Sequence, residues 1–428
     1  MSLREAGVTL IDCDHRTPPA SEAGYPYVAI PQLRAGRIDL SGARRIASEH
    51  FVEWTKKAKP SANDVVLSRR CNPGETAFVT ADAEFALGQN LVLLRADATR
   101  VFPPFLRWIV RGPEWWEEVG KFINVGAVFD SLKCADIPKF ELSIPPREEQ
   151  KPIARILGTL DEKIDLNRRT NETLEGIATA IFKSWFVAFD PVRAKVEGHQ
   201  LPSMSSEFSA LFPHAFADSE LGSIPDGWDV RPIGDVVRVL GGSTPSTKQS
   251  AYWDGAHFFA TPKDLSCLTS PVLLRTERTI TDEGVAQISS GVLPVGTVLL
   301  SSRAPIGYVA ITAVPVSVNQ GFIGMVCDQG LPTHYVAQWT SMNVETFKQN
   351  AGGTTFAEIS KGTFRPLPIL VPPEPLLVAY EKTVLPVYER LERNLRERNL
   401  LIQLREALLP KLISGEIRMN DVDLFAGA

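Results

Sequence analysis

Between Arg44 and Arg70 the chain carries seven basic side chains (Arg44, Arg45, Lys56, Lys57, Lys59, Arg69 and Arg70) against three acidic ones (Glu49, Glu53 and Asp64). Phosphate oxygens are natural partners for such a stretch, although most charge runs are solvated faces. The whole chain does not share this character: its net charge is −5 and its pI about 5.8. That argues against a simple nucleic-acid coat protein, while local clustering can evade the average. One of these arginines is repeated. "DVVLSRRCNPGETA" (Asp64–Ala77) overlays "TVLLSSRAPIGYVA" (Thr297–Ala310) with six of fourteen residues identical, Arg70/Arg303 and Gly74/Gly307 among them. A guanidinium before a glycine turn, made twice, is a candidate recognition group.

Catalytic chemistry finds no foothold. No phosphate-binding loop of the Gly-x4-Gly-Lys-Ser/Thr type occurs. "NPGE" at Asn72–Glu75 departs from the Asn-Pro-Pro-aromatic tetrapeptide of amino-methyltransferases at its third and fourth residues, and reads as a turn. "EEVGK" at Glu117–Lys121 has the spaced acids of a nuclease site but reads as a solvated helix face. The six histidines form no metal pair; His15, within "DCDHRTPP", sits in a polar cluster that reads as loop or binding surface. The five cysteines are scattered and odd in number, which reads as free thiols in a reducing cytoplasm. We expect no catalytic residue, no metal site and no cofactor in this chain. No apolar run approaches 18 residues and the first residues lack a signal-peptide layout, so a cytoplasmic protein off the membrane is expected.

The elements that position these residues also come twice. Gln89 matches Gln320, "GAVF" (126–129) matches "GTTF" (353–356), and the Pro145–Pro146 junction matches Pro372–Pro373. Each proline pair closes an apolar strand and opens a long helical pattern. The first has a seam of Ile153, Leu157, Leu160, Ile164, Asn167, Asn171, Leu174, Ala178, Ile181 and Trp185, spaced by fours and threes. The second runs Tyr380, Val384, Val387, Leu391, Asn394, Arg398, Leu401, Leu408 and Leu412, with Pro386 expected to interrupt and kink it. Asn167 and Asn171 fall where Asn394 and Arg398 sit, so an antiparallel pair would bring its polar layers together. Short β-branched runs such as "DVVLS" and "TVLLS" are strands, and Trp108, Trp115, Trp116 and Trp339 are expected in cores. The fold class is therefore α+β: two pseudo-symmetric globular lobes separated by two long antiparallel coiled-coil helices. The expected boundaries are a lobe over 1–146, a helix over 147–189, a surface connector over 190–225, a lobe over 226–373, a helix over 374–416 and a tail over 417–428.

This order resembles the specificity subunit of Type I restriction–modification systems. "PPREEQKPIARIL" opening the first helix and "FKSWFVAFDPVRAK" closing it are similar to that family, as is the connector "LFPHAFADSELGSIPDGW". "GGSTPS" from Gly241 resembles the opening of its recognition domains; the first lobe shows no counterpart and starts directly at "LIDCDHRTPP". The resemblance implies two target recognition domains, each reading one half of a bipartite double-stranded DNA site. The paired helices would serve as spacer and as platform for two methyltransferase subunits, which hold S-adenosylmethionine and methylate adenine at N6. Nuclease–translocase subunits would be optional further partners. Base readout needs few side chains, typically Arg to guanine and Asn or Gln to adenine. The candidates are Arg69, Arg70, Asn72, Gln89 and Asn90 in the first lobe, and Ser302, Arg303, Asn319 and Gln320 in the second. Arg34, Arg37, Arg44, Arg45, Lys56, Lys263, Arg275 and Arg278 are candidates for phosphates or bases. The rival reading is a non-DNA adaptor whose two lobes hold protein partners on a helical spacer.

Overall fold

The computed structural model describes residues 1–126, 128–199, 201, 204–353 and 357–418. The "GAVF"/"GTTF" match rests partly on residues 127 and 354–356, and most of the expected tail on 419–428; these lie outside the described residues. Contacts divide the chain into two units, residues 1–164 with those from 400 on, and residues 165–399.

In the first unit the strands of the two larger sheets are Val8–Asp12 (β1), Tyr25–Val28 (β2), Arg44–Ile46 (β3), Val65–Ser68 (β4), Thr76–Phe78 (β5), Ala86–Leu87 (β6) and Leu91–Ala96 (β7). One sheet has the order β1-β7-β4-β5; a second has the order β3-β2-β6, with β2 and β6 parallel. Val65, Val66 and Leu67 on β4 are all buried, as a central strand covered on both faces requires. A helix Ser48–Thr55 (α1) sets Phe51 and Trp54 in the smaller sheet's core. Helices Pro103–Ile109 (α2) and Pro113–Phe122 (α3) bury Trp108 and Trp115 completely. Trp116 departs from the expected core position and is 44% exposed. It follows Trp115 on α3, and one residue turns a helix by about 100°, which carries Trp116 off the buried face.

The second unit repeats the plan. Arg238–Leu240 (β8), Trp253–Ala260 (β9), Val272–Leu273 (β10), Arg278–Ile280 (β11), Val298–Ser301 (β12), Val309–Thr312 (β13), Val316–Val318 (β14) and Phe322–Val326 (β15) follow the long helix Arg147–Phe186 (α4). The sheet order β8-β15-β12-β13 matches β1-β7-β4-β5, with β10 added at the edge beside β13. The small sheet β11-β9-β14 matches β3-β2-β6, including the parallel pair. Helices Thr333–Met342 (α5) and Val344–Gln349 (α6) stand where α2 and α3 do, and Glu374–Ser414 (α7) is the second long helix. The connector is more structured than expected. It forms a helix, Asp190–Val196, and a hairpin of Phe216–Ser219 with Gly222–Pro225. Its Val192, Phe212 and Ile224 join the unit's core with Phe182, Phe186, Tyr335 and Tyr380. Apolar anchors, not its Pro and Ser content, decide where it lies.

Helices α4 and α7 run to 40 and 41 residues. Pro386 does not interrupt α7. The lost N–H and the crowded carbonyl one turn back cost about 3 kcal/mol, and burial of Val384 and Tyr388 on either side offsets this by holding the helix to the core. The pairing is antiparallel: within the second unit Asn167 meets Glu397 and Asn171 meets Asn394, and within the first Asp161 meets Arg405. Among the described residues no helix is long and apolar enough to cross a membrane.

Candidate nucleic-acid interface

The repeated arginines sit at the start of a loop that each lobe builds on the same backbone frame. In the first lobe the N–H of Arg69 donates to Asn90 C=O at 3.1 Å, and Arg69 C=O accepts from Leu132 N–H at 2.8 Å. In the second, Ser302 N–H donates to Gly321 C=O at 2.8 Å, and Ser302 C=O accepts from Ile359 N–H at 3.1 Å. Arg70 then bridges Ser131 as Arg303 bridges Glu358. The loops close on glycine: Gly74 at φ +97° donates to Ser68 C=O, and Gly307 at φ +118° donates to Ser301 C=O. A Cβ at Gly74 would lie 2.8 Å from the Trp116 ring, and one at Gly307 2.4 Å from Val344. Backbone sign and space therefore both demand glycine, which explains its identity in the repeat.

Side chains on the first frame have distinct fates. Arg69 is 9% exposed; its Nη2 reaches His15 Nδ1 at 3.3 Å, and its Nε has no partner among the described residues. Arg70 is half-buried with its guanidinium 5.5 Å from the Phe129 ring centroid. Asn72 is exposed in a tight turn, its N–H donating to Arg70 C=O at 2.8 Å. Gln89 is exposed and Asn90 half-buried. His15 is exposed, 2.9 Å through Nε2 from Asp12 Oδ2 and 3.3 Å through Nδ1 from Gln89 C=O. Several candidate cations are occupied. Arg34 lies 3.4 Å from Asp39, and Arg44 and Arg45 donate to the carbonyls of Pro18 and Gly24. Arg37 donates to Asp161 C=O at 2.8 Å, which ties it to α4. Lys56 is exposed.

On the second frame Ser302 is buried, and Arg303 reaches Glu358 at 3.3 Å with its side chain 35% exposed. Asn319 Oδ1 accepts from Gly321 N–H at 2.9 Å. Gln320 is exposed, with Oε1 accepting from Thr244 Oγ1 at 2.7 Å. Arg278 stacks 3.4 Å above the Trp253 ring centroid, and Arg275 is exposed. Lys263 pairs with Glu277 at 2.8 Å, and that hydrogen bond raises its ammonium above the usual lysine range.

The first lobe does have a counterpart to "GGSTPS". Ile11 pairs with Leu93 on β7 as Leu240 pairs with Gly324 on β15. Leu93 and Gly324 in turn face Val66 and Leu299, which the repeat aligns. Asp12–His15 therefore occupies the place of Gly241–Thr244. Strand pairing depends on the backbone, so equivalence survives where side-chain identity has gone.

In the helix pairs, Asn394 Nδ2 donates to Asn171 Oδ1 at 2.8 Å with both side chains buried, and Asn171 Nδ2 donates to Leu391 C=O at 3.1 Å. Asn167 donates to Glu397 at 2.9 Å. Arg398 is half-buried. Sequence reasoning missed a second polar layer. Asp161, fully enclosed, faces Arg405, with Arg111 at 3.9 Å and Arg107 at 4.0 Å. Burial pushes the Arg107 guanidinium down to about 10 against the opposing pull of Asp161. The available signal was an aspartate adjoining the seam residue Leu160, itself only half-buried.

Comparison with known proteins finds the same repeat. A family model described as the Type I restriction modification DNA specificity domain matches residues 15–176 and again 225–375. The Type I restriction enzyme HindI specificity subunit of Haemophilus influenzae is 26% identical over 406 residues, covering 85% of this chain and 88% of that protein. The Type I restriction enzyme MjaIX specificity subunit of Methanocaldococcus jannaschii is 38% identical over 192 residues, 44% of each chain. The solved S subunit of a Type I restriction–modification system from M. genitalium has a TM-score of 0.57 at 13% identity, covering 96% of this chain and 95% of that one, a likeness of fold.

Proposed function

This chain belongs to the Type I restriction–modification DNA specificity family and carries its domain twice, and from that membership we propose that each lobe reads one half of a bipartite double-stranded DNA site for partner subunits that do the chemistry. The observation that carries the reading is the doubled frame: Arg70 and Arg303 rise from matching backbone bridges beside matching glycine turns. Two readers on related scaffolds suit a target of two unlike halves. Arginine is suited to guanine O6 and N7, and the exposed amides of Gln89 and Gln320 to adenine. The overall charge of −5 fits a chain that leaves much phosphate contact to its partners.

In this reading the chain is a non-catalytic specificity subunit working in the cytoplasm. Two methyltransferase subunits would hold S-adenosylmethionine and methylate adenine at N6, and nuclease–translocase subunits would add cleavage where present. Family membership leaves the rival adaptor reading without support.

The test is methylome sequencing of cells producing the chain with its methyltransferase subunit. A bipartite motif carrying N6-methyladenine, absent when the chain is omitted, is expected. The same motif without the chain, or methyl transfer by the purified chain alone, overturns the proposal.

A further inference from the structure

The loops that lead into the two lobes meet the reading frames at one equivalent residue each. His15 lies four residues beyond Ile11, and Thr244 four residues beyond Leu240, the two positions equated by strand pairing. Each touches the matching glutamine: His15 Nδ1 lies 3.3 Å from Gln89 C=O, and Thr244 Oγ1 lies 2.7 Å from Gln320 Oε1. Each lead-in loop is also pinned by an indole from the small-sheet layer. Trp54 Nε1 donates to Arg16 C=O at 3.0 Å, and Trp253 Nε1 donates to Ser246 C=O at 3.1 Å. In the second lobe the loop is pressed close, since a Cβ at Gly242 would lie 1.6 Å from Val318 C=O. Unlike side chains thus meet the matching glutamine, at its backbone carbonyl in the first lobe and at its amide oxygen in the second, which marks a place where the lobes are built alike and chemically differentiated.

We infer that His15 and Thr244 are specificity-determining residues, each setting what its lobe offers one base pair at the lead-in edge of the reading surface. The assignment rests on the DNA-reading function proposed above. In the second lobe Thr244 acts on Gln320. Its hydroxyl donates to Oε1 and so fixes which way the amide faces, leaving Nε2–H as the donor and the threonine oxygen as an adjacent acceptor. A donor beside an acceptor complements N7 and N6–H of adenine. In the first lobe the geometry offers something else. Nε2 of His15 faces Asp12 at 2.9 Å, and Nδ1 faces both Gln89 C=O and the Nη2 of buried Arg69 at 3.3 Å each. The imidazole is held from both ends, and no partner fixes the Gln89 amide among the described residues. Arg69 here is a positioning residue for His15, and the bases met by the two loops differ.

Three variants of the full chain, Thr244→Val, Thr244→Ser and His15→Ala, each co-produced with the methyltransferase subunit, test this by methylome sequencing. Thr244→Val, which keeps shape and loses the hydroxyl, should relax one base position of the second half-site about tenfold and leave the first half-site unchanged. Thr244→Ser should retain the parental motif, a rescue that a merely structural role would not require. His15→Ala should relax one position of the first half-site alone. An unchanged motif in both Thr244→Val and His15→Ala, or equal loss at both half-sites, overturns the inference. If the unaltered chain gives no bipartite motif, the proposed function falls and takes this assignment with it.

Discussion

Replacing Asp161 by alanine should destabilise the first unit more than any other single polar truncation. Its carboxylate is 3% exposed and lies against Arg405, with Arg111 and Arg107 at 3.9 and 4.0 Å; the three guanidinium side chains are 10%, 17% and 16% exposed. At about 4 Å and an effective dielectric of about 20, each attraction is worth roughly 4 kcal/mol. Desolvating four ions costs several kcal/mol apiece, so the intact cluster adds little net stability. Removing the one anion is different, because buried Arg107 and Arg111 lose the carboxylate they face and Arg405 is left to Glu406, whose side chain is 55% exposed. A loss of about 3–5 kcal/mol follows, or roughly 6–20 °C in Tm at 2–4 °C per kcal/mol for a unit of this size. Thermal melting followed by circular dichroism measures it. The double variant Asp161→Leu with Arg405→Met should recover at least half of the loss, since it removes a charge of each sign. A shift below about 2 °C in Asp161→Ala, or a double variant no better than the single, refutes the reasoning.

Asn394→Leu leaves the buried Oδ1 of Asn171 without its donor and should cost about 1–3 kcal/mol in denaturant titration, whereas the double variant with Asn171→Leu should regain most of it. Glu175 is raised above the usual glutamate range, first by burial. The folded state thus binds the proton more tightly than the unfolded state, and stability falls as pH climbs from about 4.5; Glu175→Gln should raise Tm at pH 8 and leave it unchanged at pH 4. Burial pushes the Cys13 thiol up to about 11 and Cys327 up to about 12, while Cys71 and Cys267 are exposed; at pH 8 an aromatic disulfide reagent should label Cys71 and Cys267 first, and the Cys71→Ser, Cys267→Ser variant should lose the fast phase. Arg70→Ala and Arg303→Ala should each weaken discrimination at one half-site by about 1–3 kcal/mol; equal binding of specific and scrambled duplexes by parent and variants would make both arginines structural.

What the sequence discloses here follows the range of the physics. Periodicity is local, so the seam through Ile153, Leu157, Ile164 and Ala178 and its polar middle at Asn167 and Asn171 are legible, and all six are buried. Identity marks the loops for a different reason: at Gly74 and Gly307 no other residue fits, so the repeat could not drift there. Where several residues serve equally well, the signal fades. The lead-in loops "DCDHRTPP" and "GGSTPS" share strand pairing, an indole anchor and a glutamine contact, yet almost no side chains, because a backbone ladder accepts many sequences. The Asp161 cluster was illegible because of distance. Arg405 lies 244 residues away, and an aspartate beside a helix seam reads as solvated until its partner is known. Asp161 has no counterpart in the second lobe's repeat: the proline junctions are offset by 227 residues, which places Tyr388 there. The tyrosine is buried and accepts a hydrogen bond from Gln338. The same place in the two helices thus carries an ion cluster in one unit and a neutral aromatic contact in the other. That difference gives each half of the seam its own partner requirement, so that α4 against α7 satisfies the buried carboxylate while α4 against a copy of itself would set Asp161 near Ala178, which has no charge to offer.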